Sequence, residues 1–120
     1  VRNVREYVGD ARLNELGLPT FLEPLPVERG PQGLKVLKEA GALARAAGVA
    51  SALGSSSRFL WLKLPYCDGY ERVARATTLP ILLLGGESAG DPRPFLTAVA
   101  SALGAGSAVR GALCSSATAM

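Results

Sequence analysis

The 120-residue sequence predicts an α/β fold built on a parallel sheet, and three observations carry the prediction. Four short runs, residues 20–25, 59–64, 81–84 and 109–113, are largely apolar. Amphipathic stretches alternate with them, and Gly or Pro punctuates the boundaries. Strands apolar on both faces and interleaved with helices belong to parallel sheets that helices cover. A helix–strand order repeated four times fits either a segment of a (β/α)8 barrel or a small doubly wound sheet.

Val4, Tyr7, Val8 and Ala11 recur at helical spacing, and Gly17-Leu18-Pro19 stops that helix. Residues 20–25 follow, and their prolines confine them to the end of a strand. Residues 32–53, rich in Ala, Leu and Lys, place Leu34, Leu37, Ala40 and Leu43 on one face and read as a helix closed by Gly54. Residues 59–64 are apolar around Lys63, and Pro65 ends that strand. Asp68 is placed to cap a helix through Tyr70, Val73 and Ala76. Pro80 and the Ile81–Leu84 run lead into Gly85-Gly86. Asp91-Pro92 opens a further helix with Phe95, Leu96 and Val99 inward, and residues 109–113 form the last strand.

Composition narrows the function classes. An apolar fraction of 48% supports a real core. Ten arginines are scattered without a basic run, so the net charge of +3 does not point to nucleic acid. Cys67 and Cys114 stand apart and the chain has no histidine, which excludes zinc-finger and Ser-His-Asp chemistry; no metal or cofactor is expected. No apolar run exceeds four residues, as in Ile81–Leu84, far too short to span a membrane, and no leader opens the chain. A cytoplasmic protein without nucleic-acid or membrane partners is expected. The sequence begins inside a predicted helix and ends in a small polar tail. Residues 1–114 are therefore expected to be four units of an α/β architecture and residues 115–120 an aberrant or disordered tail. Four parallel strands leave two edges unpaired, which calls for either a homo-oligomer or a longer parent protein.

Four places carry candidate chemistry. Lys63 lies between Leu62 and Leu64, and alternation puts it on one face with Trp61 and Pro65. A lysine drawn into a barrel interior loses hydration, which lowers its pKa and favours the nucleophilic amine; alternatively it snorkels from the strand end to water. Glu23 closes its strand, where a carboxylate either polarises a ligand hydroxyl or pairs with Lys63. Gly85-Gly86 offers backbone N–H groups to an anion, or else makes a tight turn. Arg110, inside the last strand, requires a carboxylate partner or a phosphate.

Taken in order, Phe21-Leu22-Glu23-Pro24-Leu25, Trp61-Leu62-Lys63-Leu64-Pro65-Tyr66, Thr77-Thr78-Leu79-Pro80, Leu84-Gly85-Gly86 and Val109-Arg110-Gly111 resemble a known family. They are similar to the last four units of bacterial class I, Schiff-base aldolase-like (β/α)8 proteins linked to inositol catabolism. Tagatose-bisphosphate, archaeal-type fructose-bisphosphate and deoxyribose-phosphate aldolases are related to these. The resemblance implies the C-terminal half of a TIM barrel and a lyase of carbohydrate metabolism. It also implies Lys63 as the imine-forming lysine, Gly85-Gly86 as a phosphate cradle, a phosphorylated sugar or keto substrate, and no metal. The family's Gly-Arg-Asn after the last strand is replaced by Ser115-Ser116-Ala117, so the chain alone is expected to be inactive. The alternatives are an inactive truncated paralogue and a phosphate-binding half-barrel that oligomerises.

Overall fold

The computed structural model describes residues 12–85 and 90–114. Residues 12–15 are helical and end in a left-handed Gly17 (φ 69°). The Leu18 N–H returns to the Leu13 carbonyl at 3.0 Å, the 6→1 bond that terminates many helices. Strands β1 (Thr20–Leu22), β4 (Leu60–Leu64), β5 (Ile81–Gly85) and β6 (Val109–Cys114) then form one four-stranded sheet in that order, all parallel. The four predicted strands are thus present and parallel, within a few residues of their predicted bounds.

Helices α1 (Ala40–Ser51), α2 (Tyr70–Arg75) and α3 (Arg93–Ala105) follow β1, β4 and β5. Their apolar residues, among them Leu43, Ala47, Val73 and Ala102, join Leu60, Leu62, Leu64, Ile81, Leu83 and Val109 in one buried core. Alternation along β4 and β5 is strict: every second residue is buried in that core, while Trp61, Lys63, Leu82 and Leu84 turn to the opposite face and stay partly exposed. The sheet therefore has one helix-covered face and one open face. Phe21, paired in register with Trp61, is 50% exposed there, and the two rings lie 5.9 Å apart.

One predicted helix is shortened. Residues 27–36 form an antiparallel hairpin, β2 (Val27–Gly30) and β3 (Gly33–Val36), and the helix begins only at Ala40. Pro31-Gln32 makes the turn, Gly33 takes the positive φ of 108° that it needs, and Glu28 stands opposite Lys35 across the ladder. Lys35 is accordingly on a strand, not on a helix. Helix α2 is entered through Gly69 in the left-handed conformation (φ 71°), and Asp68 makes no capping bond. At α3 the Asp91 carboxylate accepts the Arg93 N–H at 3.0 Å while Pro92 takes the N-cap position. The helix expected before Gly17 falls largely on residues 1–11, and the tail of residues 115–120 likewise lies outside the described residues.

Candidate functional site

Leu22 pairs with Leu62, so the next residues on each strand, Glu23 and Lys63, emerge side by side on the open face. The Lys63 Nζ lies 3.6 Å from the Glu23 Oε2; their side chains are 15% and 40% exposed. Lys63 is level with Leu82 on β5, which is level with Gly111 on β6. Glu23, Lys63, Leu82 and Gly111 thus make one row across the sheet, above the Phe21–Trp61 row. An ammonium with little water access, one carboxylate beside it and apolar neighbours on the other sides is the polar centre of this face. Of the two readings of Glu23, the structure realises the pairing with Lys63.

Gly85, the last residue of β5, faces Cys114, the last of β6. A Cβ on Gly85 would lie 2.6 Å from the Cys114 Sγ and 2.9 Å from its Cα, so glycine is required here by close strand packing. Gly85→Ala is expected to cost roughly 1–3 kcal/mol, the usual cost of overpacking, read as a lowered urea midpoint. Gly86 lies outside the described residues.

Arg110 stands near the opposite end of its strand. Val109 pairs with Ile81 but Gly111 with Leu82, which leaves Arg110 as the extra residue of a β-bulge. It borders a separate cleft at the amino-terminal ends of β5 and β6, together with Trp61, Arg75 and Ser107. The structure therefore brings Glu23 and Lys63 together and keeps Arg110 apart from Gly85. Arg75 carries no sequence signal beyond the Thr77-Thr78 turn that follows it; the fold alone brings Ser107 to the same cleft. Among the described residues no three of His, Cys, Asp and Glu cluster as metal ligands would. No helix among them is long and apolar enough to cross a membrane.

The architecture defines a class: among the described residues, a parallel four-stranded α/β sheet with helices on one face and the Lys63–Glu23 ion pair beside partly exposed apolar side chains on the other. Residues 6–118 match the family model described as Cgl0159-like, and the chain belongs to the Cgl0159-like family. The crystal structure of Cgl0159 from Corynebacterium glutamicum (Brevibacterium flavum) is similar, with a TM-score of 0.81 and 30% sequence identity over 90% of this chain. The match covers 36% of the Cgl0159 chain, so the present chain spans little more than a third of that protein's length. No curated protein matches the sequence.

These findings overturn the aldolase expectation. The matching family is Cgl0159-like and not an aldolase family, and nothing supports a Schiff base on Lys63, lyase activity or a place in carbohydrate metabolism. The physical reason lies in the motifs themselves. Leu-rich strands ending in Pro or Gly-Gly are what parallel sheets of many families require. The lysine on one of them is engaged by a carboxylate.

Proposed function

We propose that the four parallel strands are the carboxy-terminal run of a closed (β/α)8 barrel, and that Lys63 and Glu23 bind a small molecule carrying an oxyanion beside a hydroxyl. The barrel reading is supported by strand order. Neighbours in the sheet follow chain order throughout, β1-β4-β5-β6, whereas a doubly wound sheet reverses direction at a switch point. A protein of Cgl0159's length has room for the strands that would cover Phe21, Trp61, Leu82 and Leu84. In such a barrel ligands bind at the carboxyl ends of the strands, where Lys63 and Glu23 stand.

One observation carries the binding reading: a charge lies at 15% exposure on an apolar face. Desolvating an ammonium is costly, and an ion pair seldom returns more stability than an apolar pair of the same volume. Lys63 is thus a poor choice for stability and a good one for an oxyanion, phosphate or carboxylate. Glu23, half-exposed, is free on its outer side to accept a ligand hydroxyl.

Lys63→Met is expected to leave the fold intact and to change stability by less than about 1 kcal/mol, because the Glu23 carboxylate it leaves unpaired is partly exposed and stays hydrated. The same variant is expected to abolish binding of glycolate, read as ligand-dependent shifts of the Leu82 amide in the Lys63 row. Binding near 1 mM, about 4 kcal/mol, is the expected strength for so few contacts. Lys35→Met and Lys38→Met should bind as the parent does. Undiminished binding in Lys63→Met would overturn the reading.

A further inference from the structure

The cleft at the amino-terminal ends of β5 and β6 holds about 750 Å3 and is separate from the Lys63 site. Two guanidiniums border it, Arg75 from the last turn of α2 and Arg110 from the bulge in β6. Neither has a carboxylate within ion-pairing distance among the described residues, whose pairs are Arg12–Glu15, Lys63–Glu23 and Arg93–Asp91. Arg75 draws some support from the carbonyl end of its helix, but Arg110 sits in a strand and has no such compensation. Two like charges on one concavity, without a counter-charge, raise the local positive potential.

The rest of the lining sets three hydroxyl residues among small and apolar ones. The Thr77 hydroxyl is already engaged, 2.7 Å from the Ser51 hydroxyl and accepting the Leu79 N–H at 3.0 Å, which anchors the loop. Beside it Thr78, and across the cleft Ser107, are exposed and make no side-chain bond of their own. Gly106 lets the second loop lie against α2, since a Cβ there would come 3.0 Å from the Ala74 Cβ. Trp61 supplies an apolar wall. Guanidiniums grip phosphate oxygens with paired, charge-assisted hydrogen bonds, and hydroxyls complete such a shell.

We propose that this cleft is a second, distinct oxyanion site, built to take a phosphate group through Arg75 and Arg110 with Thr78 and Ser107 as hydroxyl donors. The occupant is either the free ion or a phosphate monoester whose apolar or aromatic portion lies on Trp61. The inference does not depend on the Lys63 reading, because the two sites share no charged residue.

The test is a residue-resolved NMR titration of the whole 120-residue chain with inorganic phosphate and, separately, phenyl phosphate. Saturable shifts are expected at Thr78, Ser107 and the Nε–H groups of Arg75 and Arg110. An Arg75→Met/Arg110→Met double variant should weaken them at least tenfold, whereas Lys63→Met should change the affinity less than twofold. Tighter binding of phenyl phosphate assigns the site to a monoester; equal binding assigns it to the free ion. Both guanidiniums are exposed, so the double variant should fold. Should it not, Ser107→Asp, which sets a carboxylate in the cleft, must abolish the same shifts. The proposal is overturned if the folded double variant, or Ser107→Asp, titrates as the parent does, or if phosphate shifts only the Lys63 row.

Discussion

Truncating Leu62 to alanine is expected to cost about 3–5 kcal/mol, a large part of the 5–15 kcal/mol that holds a domain of this size folded. Leu62 is fully buried at the centre of β4, between β1 and β5, and its side chain faces the helices. Removing three carbons there forfeits their transfer out of water. It also leaves a cavity that strands on both sides prevent from collapsing. Leu82, one strand away on the open face, is only partly buried, and Leu82→Ala should cost less than about 1.5 kcal/mol by the same area argument. Urea denaturation monitored by Trp61 fluorescence measures both. A loss at position 82 as large as that at 62 would mean that the open face is covered in solution, by a second copy or by a rearrangement of the sheet.

That contrast marks how far the sequence is legible. Strands β4 and β5 were readable because both of their faces are apolar, and such runs between Gly and Pro have few other uses. Which face the helices cover was not readable, since Leu62 and Leu82 look alike until the register is known. The hairpin of residues 27–36 was missed for a similar reason. Leu34, Leu37, Ala40 and Leu43 do recur at helical spacing, but the pairing of Glu28 with Lys35 is a contact between strands that no periodicity records. At the candidate site, Glu23 and Lys63 could be matched because each lies within a residue of its strand's end, just ahead of a proline. Arg110 and Gly85 lie apart because one is the second residue of β6 and the other the last of β5 in a parallel pair; the bulge beside Arg110, which shifts β6 by one residue against β5, could not be foreseen. The aldolase resemblance failed where short motifs usually fail: its elements were ones that sheet geometry demands in any case.

Stability is expected to fall steeply above pH 9–10, and Tyr70 is the main cause. Its ring is 2% exposed and its hydroxyl meets no hydrogen-bond partner among the described residues, so the phenolate would be a poorly compensated charge in the core. Burial raises the Tyr70 pKa far above its ordinary value of 10, with the neighbouring Cys67 thiolate adding to the shift. Cys67 is itself raised above 9.0, by burial first and then by Asp68, Glu39 and Glu71. Between the ordinary and the raised pKa the folded chain keeps a proton that the unfolded chain has released. Stability from such a group is complete below the unfolded pKa and declines as pH rises, by about 1.4 kcal/mol per pH unit for each group. Urea midpoints at pH 8, 9.5 and 11 should therefore drop progressively, the thiol acting first and the phenol second. Tyr70→Phe removes the phenol's share and should flatten the upper part of the curve. At pH 7 it should match or exceed the parent by about 1 kcal/mol, because it deletes a buried hydroxyl without a partner among the described residues. A Tyr70→Phe protein as alkali-sensitive as the parent would show that the phenol reaches water when it ionises, and that the packing of Tyr66 over Tyr70, with ring centroids 5.7 Å apart, opens without unfolding the sheet.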